Sequence, residues 1–513
     1  MAIRFAPIAV LLLSACTVGP NFEQPSFWSP ASWFNTRASS PQKLEASMPV
    51  AEPVDAEWWT QFNDPALTSL VRRVAAGNLD VRAATFRLAQ SRAQRGITAA
   101  DQFPQLNGNS SYTRQRPSRQ GVLSLIGGGS GGGAGGGSPG TQSNGLGGRQ
   151  GGIPTSPGIG AFDLFQGGFD ASWELDLWGR VRRAVESADA SLEASTEARR
   201  SQLLSSIAEV ARDYVQLRGT QATLRITRDN LSTAQQSAGL TSARYRGGLA
   251  TDLDVANAQA QVEATGANIP QLEQQEAQSI NAIGLLLGMP PAALRAELSP
   301  PKPVPPVPPR VPVGLPSELA RRRPDIRQAE AQLHAATADI GMAKADFYPR
   351  LTLSGSVALQ ATQVRNLGWS AGTYSFGPSL TIPIFESGRL RRTVELREAQ
   401  QQEAAINYQK TVLQAFTDVD NALIAYAAEQ RRRTRLAAQV VQSRRAFNLA
   451  QSRFREGVSD FLEVLTAQRT LLAAEQQLAD STATVSANLV SLYKALGGGW
   501  EPDLPVEAPA ARR

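Results

Sequence analysis

One cysteine and one histidine limit the chemistry open to this chain of 513 residues. The cysteine, Cys16, ends the run Leu13-Ser14-Ala15-Cys16, which follows one basic residue, Arg4, and an apolar stretch from Phe5 to Leu13. Small residues before a lone thiol, after a short apolar run, read as a lipobox. Residues 1–15 are then a lipoprotein signal peptide cut before Cys16, whose thiol carries a covalent lipid. The apolar stretch is too short to span a bilayer. Thr17 follows the cysteine, where an aspartate would have indicated retention at the inner membrane. A single cysteine leaves no internal disulfide.

The histidine, His334, sits in a helical pattern, and alone it excludes a histidine-based triad or a multi-histidine metal site. The acid pairs Asp252/Asp254 and Asp418/Asp420 are two residues apart on helices or caps, so they face different sides. No G-K-[ST] phosphate loop is present. The G-x-G-x-x-G inside the glycine tract 127–140 lacks the strand and helix that a dinucleotide site requires. The expectation is a protein that is not an enzyme and has no cofactor or metal beyond the lipid on Cys16. Net charge is +6, with arginines dispersed on helices, as at Arg199, Arg200 and Arg431 to Arg433. That pattern gives wet helix faces rather than a nucleic-acid surface.

The chain is instead patterned by duplication. "ARYRGGLATDLDVANAQ" (243–259) returns as "SRFREGVSDFLEVLTAQ" (452–468), 209 positions later. Arg244 matches Arg453, Gly248 matches Gly457, and Leu253 matches Leu462. Earlier, Asp80, Asp101 and Pro104 match Asp325, Asp346 and Pro349 at a spacing of 245, so the first copy holds 36 extra residues around the glycine tract. The predicted organisation is an acylated, extended N-terminal segment (16–60), repeat 1 (61–297), a Pro-rich linker (298–316), repeat 2 (317–500) and a disordered tail (501–513).

Each repeat reads as a helix, two strands, a very long helix, a tip and a return helix. Alternation marks strands at 105–114, at 169–178, at about 350–360 and at about 373–385, with a flexible Gly-rich loop at about 115–160. Residues 180–246 contain no proline and residues 389–455 neither proline nor glycine, so each predicts one helix of 67 residues, about 100 Å long at 1.5 Å per residue. Apolar residues along them recur at gaps of three, four and seven, which suits lateral packing. Tips follow at 247–253 and 456–462. Gly247-Gly248 and Gly457 supply left-handed helix ends, and Thr251 or Asp252 and Ser459 or Asp460 supply N-caps.

After the signal no run of 18 apolar residues occurs, so any membrane passage falls to the strands. Barrels need about eight strands to close and one chain offers four. Two chains would make a narrow barrel filled by side chains; three would make twelve strands around a pore.

"WWTQFNDPAL" (58–67), "NLDVRAA" (78–84), "RRPDIRQAE" (322–330), "ADIGMAKADFYPRL" (338–351), the paired "GR" at 179–180 and 388–389, and "YKALGGGW" (493–500) resemble the outer-membrane factors of tripartite efflux systems. The TolC-like superfamily, in its OprM/NodT-like lipoprotein branch, is the best fit, from Cys16 to Trp500. The resemblance implies an α+β membrane protein: a homotrimer with a twelve-stranded outer-membrane β-barrel and a periplasmic α-barrel of long coiled helices. It implies a passive conduit for drugs or other small molecules. Its partners would be outer-membrane lipid, a periplasmic adaptor (membrane fusion) protein and an inner-membrane pump of the resistance-nodulation-division type.

In such channels the tips form an aperture and meet the adaptor. The matching residues are Arg244, Gly248, Asp252, Leu253 and Asp254, with Arg453, Gly457, Asp460 and Leu462. Leu253 and Leu462 are either constriction residues or helix-packing leucines. Thr466 stands where relatives similar to OprM carry an acid, and its mate is Asn257, so an acidic ring would come from Asp252, Asp254 or Asp460. A type I secretion conduit and a helical-hairpin adaptor or scaffold are the alternatives. A scaffold would lack the amphipathic strands.

Overall fold

The computed structural model describes residues 17–26, 29–30, 33, 47–116 and 161–500. The predicted signal peptide 1–15, Cys16, the glycine tract 127–140 and the tail 501–513 lie outside the described residues. In chain order the principal elements are β1 (Met48–Val50), α1 (Pro65–Gly77), α2 (Leu79–Ala100), β2 (Gln105–Gln115), β3 (Phe162–Leu175), α3 (Arg180–Arg246), α4 (Asp252–Leu286), β4 (Arg310–Pro312), α5 (Pro324–Ala345), β5 (Arg350–Ala361), β6 (Gly372–Thr381), α6 (Arg389–Arg455) and α7 (Phe461–Ala495). The protein is mainly helical with some sheet. The described residues fall into two compact units: one holds 97–116, 161–183 and 341–390 together with 17–18, and the other holds the rest.

The first unit is a four-stranded antiparallel sheet in the order β2-β3-β5-β6. Its register sorts the side chains by face. Leu106, Tyr112, Phe165, Phe169, Trp173, Leu353, Val357, Tyr374, Phe376 and Leu380 share one face. Asn107, Asn109, Asp170, Glu174, Ser354, Ser356, Ser375 and Ser379 share the other. The polar face is cross-linked: Asn109 Nδ2 donates to Asp170 Oδ1 at 2.6 Å, and the hydroxyls of Ser356 and Ser375 meet at 2.9 Å. The apolar face is open, with Phe376 82% and Tyr374 78% exposed. Along β2 and β6 no further strand pairs the outer edge among the described residues.

Strand bounds depart from the sequence pattern in two places. β6 stops at Thr381 rather than near 385, because its partner β5 begins at Arg350, directly after Pro349, and Arg350 pairs with Thr381. Beyond it Ile384 and Phe385 are exposed and Pro383 has no N–H to donate. β3 starts seven residues earlier than Phe169 and ends at Leu175, before Leu177. Its early half, "FDLFQGG", carries too few alternating apolar residues to stand out.

The second unit is built on α3, α4, α6 and α7. Its core gathers Ile207, Tyr214 and Leu217 of α3, Ile283 of α4, Val419 and Tyr426 of α6, and Leu489 and Tyr493 of α7. The segment 16–60, expected to be extended throughout, also holds a one-turn helix at Trp58–Phe62 whose Trp58, Trp59 and Phe62 are fully buried. The Trp58 ring stacks on Tyr493 with centroids 5.3 Å apart, and its Nε1 donates to the Gly498 carbonyl at 3.0 Å. β1 pairs in parallel with β4 of the Pro-rich linker, a pairing that three-residue strands do not announce in sequence. Arg218, wholly buried, donates from Nη1 to the Leu298 and Pro300 carbonyls at 3.1 and 3.0 Å and so fixes the linker's start. Beside it the Tyr214 hydroxyl, held up to about 12 by burial and by its hydrogen bond to Asp64, stays neutral. No helix among the described residues is long and apolar enough to cross a membrane.

α3 has two interior glycines with opposite surroundings. A Cβ on Gly219 would stand 2.7 Å from the Cβ of Ala483 in α7, whereas one on Gly239 would meet nothing within 4 Å. Gly219→Leu is therefore expected to cost about 1–3 kcal/mol through overpacking. Gly239→Ala is expected to gain about 0.5–1 kcal/mol through helix propensity. Thermal unfolding of the purified variants measures both; equal effects would contradict the close approach of α3 and α7.

Candidate functional site

The two helical tips are built alike but not identically. At the first, α3 ends at Arg246 and Gly248 turns left-handed at φ 73°. The Leu249 amide then donates back to the Arg244 carbonyl at 2.8 Å. Thr251 N-caps α4 in a reciprocal box. The Asp254 amide donates to Thr251 Oγ1 at 3.2 Å, and the Thr251 amide donates to Asp254 Oδ2 at 2.9 Å. At the second tip, Gly457 is left-handed at φ 79°, and the Val458 amide donates to the Arg453 carbonyl at 2.9 Å. Asp460 caps α7 through the Glu463 amide at 3.2 Å. Side chains with a Cβ avoid this left-handed backbone, so glycine stands at both turns.

Arg244 joins the tips. From the first hairpin it donates from Nη1 to the Phe454 carbonyl at the end of α6, and to the Arg455 carbonyl at 3.4 Å. Its guanidinium lies over the Phe454 ring, 4.6 Å from the centroid, and Phe454 packs edge-on against Phe461 with centroids 5.5 Å apart. A cation placed on orphan carbonyls at a helix C-terminus also meets the negative end of that helix dipole. Phe454 and Phe461 belong to a small second core with Ala258, Val464, Leu465 and Leu471. Sequence reasoning passed over both phenylalanines. Their signal lies in the mismatch between repeats, since Phe461 stands where repeat 1 has Asp252.

The other singled-out residues divide by exposure. Leu253 and Leu462 are 68% and 60% exposed, so neither packs inside its own chain. Thr466 donates its hydroxyl to the Leu462 carbonyl at 2.8 Å. Of the three acids, Asp254 and Asp460 serve as caps. Asp252 is exposed and makes no hydrogen bond or ion pair among the described residues. Away from the tips, His334 Nε2 lies 3.2 Å from Glu186 Oε1 and its ring stacks on Phe22 at 4.4 Å. No cluster of metal-ligating residues occurs among the described residues.

Comparison with known proteins agrees with this architecture. The family model "Outer membrane efflux protein" matches residues 70–289 and 315–498. The pyoverdine export outer membrane protein OpmQ of Pseudomonas aeruginosa is 34% identical over 495 residues, covering 96% of each chain. The solvent efflux pump outer membrane protein SrpC of Pseudomonas putida is 32% identical, covering 96% of this chain and 97% of its own. Among solved structures, the outer-membrane channel OprN superposes with a TM-score of 0.82 at 35% identity, covering 95% of this chain and all of that one. The chain belongs to the outer membrane efflux protein family, and it is an outer-membrane component of an efflux system.

Arg244→Ala removes the side-chain cap from the end of α6. Hydrogen bonds from a charged group are worth about 1.5–3 kcal/mol. Amide exchange at Gly457 and Val458 is therefore expected to accelerate at least about tenfold, while the Asp254 amide, held by its own capping box, keeps its rate. Unchanged exchange at 457 and 458 would show that Arg244 does not hold the second tip.

Proposed function

We propose that three copies of this chain form a passive conduit through the outer membrane, each supplying four strands to a twelve-stranded barrel. One observation carries the proposal: the sheet exposes a largely apolar face and, among the described residues, leaves the outer edges of β2 and β6 unpaired. The strands are 11, 14, 12 and 10 residues long, enough to cross a hydrocarbon layer when tilted. In hydrocarbon an unpaired backbone group costs several kcal/mol, so the edges must meet other strands. Twelve strands leave a lumen, which the Asn, Ser, Asp and Glu side chains of the polar face would line.

The finer assignments follow the same scheme. The chain is two copies of one strand-and-hairpin unit. Cys16 carries the lipid that anchors it, and the conduit itself performs no chemistry. Energy comes from an inner-membrane pump of the resistance-nodulation-division type, reached through a periplasmic adaptor that meets the tips. The cargo is drugs or other small molecules, a reading that the pyoverdine and solvent in the names of OpmQ and SrpC support.

Leu253 and Leu462, exposed at the tips, are assigned to the constriction. In planar bilayers the native channel is expected to show low conductance, and the double variant Leu253→Ser/Leu462→Ser to conduct several-fold more. Cells carrying that variant should take up large antibiotics faster. Native conductance and uptake in the double variant would overturn the gate assignment, and no conductance from any sample would overturn the conduit.

A further inference from the structure

The two ends of the sheet differ in charge. At the end joined to helices, acids and bases are mixed and paired: Arg180 with Glu174, Arg182 with Asp176, and Arg350 with Asp346. At the loop end, residues 112–116, 161–165 and 359–374 hold three arginines, Arg114, Arg116 and Arg365, and one acid, Asp163. The register places Arg114 and Asp163 on the apolar face, directly beyond Tyr112 and Phe165. Those two rings pack with centroids 4.9 Å apart, and the Tyr112 hydroxyl donates to Asp163 Oδ1 at 2.9 Å. Arg114 Nη1 lies 3.7 Å from the same oxygen. The face thus passes from apolar through aromatic to charged within a few residues. Arg116 and Arg365 are exposed, and their side chains make no hydrogen bond or ion pair among the described residues. Trp369, on the same loop as Arg365, is 96% exposed.

We propose that lipids with an anionic phosphate headgroup are clamped at the seams between subunits, each held by Arg365 and Trp369 of one chain and by the partner's Arg114 and the partner's Arg116. The proposal rests on the trimeric reading. On that reading the helices lie in the periplasm, so the loop end of the sheet meets the outer leaflet. Closing the barrel sets β6 of one chain beside the partner's β2. Neighbouring strands are about 4.8 Å apart, so the β5–β6 loop and the end of the partner's β2 lie about 5–10 Å apart. Arginine side chains from both sides can reach one phosphate group across that gap, and a guanidinium grips phosphate through paired hydrogen bonds. A tryptophan beside them suits the boundary between headgroup and acyl chain. The acyl chains would lie on the apolar face, along Tyr374 and Phe376 of one chain and the partner's Leu106 and the partner's Tyr112.

The position of the acid favours the seam over the inside of a chain. Within one chain β3 lies between β2 and β5, and its Asp163 stands beside Arg114 on the way to the β5–β6 loop. A carboxylate there repels a phosphate. Across the seam no described acid intervenes. The ion pair of Arg114 with Asp163 is loose, and a guanidinium has five N–H donors, so Arg114 can serve a second acceptor. The ligand is a lipid and not a free ion because the arginines border an apolar face, which acyl chains cover and a soluble phosphate leaves bare.

The test is native mass spectrometry of the full chain released from mild detergent, with dioleoyl phosphatidic acid or dioleoyl phosphatidylcholine added. The unaltered protein is expected to appear as three chains that keep up to three phosphatidic acids, and to keep phosphatidylcholine about tenfold less. Arg365→Ala/Trp369→Ala and Arg114→Ala/Arg116→Ala should each still assemble and each lose phosphatidic acid about tenfold, whereas Arg82→Ala/Arg87→Ala on α2 keeps it. Trimers mixed from the two seam variants locate the site. Every mixed trimer has one seam with both halves intact and is expected to keep one phosphatidic acid; mixed trimers that keep none would overturn the seam assignment. Inorganic phosphate in excess should leave the lipid bound, and its release would make the ligand a free ion and overturn the lipid assignment. A trimer that keeps both lipids equally, or keeps phosphatidic acid in the seam variants, overturns the clamp. A particle of other than three chains overturns the trimeric reading instead.

Discussion

A β-sheet with two free edges cannot rest in hydrocarbon. Water satisfies edge N–H and C=O groups at a soluble protein's surface, and lipid tails do not. β2 and β6 each present such an edge, and the face that runs between them is apolar. Covering the face calls for lipid, and pairing the edges calls for more strands. A single chain has none left to offer among its described residues. On the proposed reading, assembly is a condition of the sheet's stability in the membrane.

The helical unit shows how the chain keeps four long helices in register. Fixed points set that register. Trp58 stacked on Tyr493 is one, Arg218 on the linker carbonyls is another, and the Gly219–Ala483 approach of α3 and α7 is a third. At the far end of the rods a small aromatic core around Phe454 and Phe461 takes over, with Arg244 pinned against it. Buried polar groups thus define position along surfaces that apolar contact alone would let slide.

Much of this was legible in the sequence because it depends on local rules. The long helices stand out since 180–246 and 389–455 lack proline, and their ends show because glycine is needed for the left-handed turns at 248 and 457. Strand faces were legible where alternation was strong, as around Trp173 and Val357. They were weak where glycine and polar residues dilute it, in 162–168 and 105–115. Pairing with a short partner was not legible: nothing in "MPV" or "RVP" announces β1 and β4, and the end of β6 is set by where β5 begins. At the tips, Arg244 and the glycines were found by their repetition. Phe454 and Phe461 were missed for the opposite reason, since Tyr245 and Asp252 replace them in the other copy.

The most direct measurement is the native mass of the protein extracted from outer membranes in mild detergent, with a Cys16→Ser sample beside it. Three chains per particle in both samples is the expected result, because the proposed barrel joins subunits through its strand edges and not through a lipid on Cys16. A monomer or dimer in the unaltered protein would contradict the shared barrel, and with it the account of how this sheet is satisfied in a membrane.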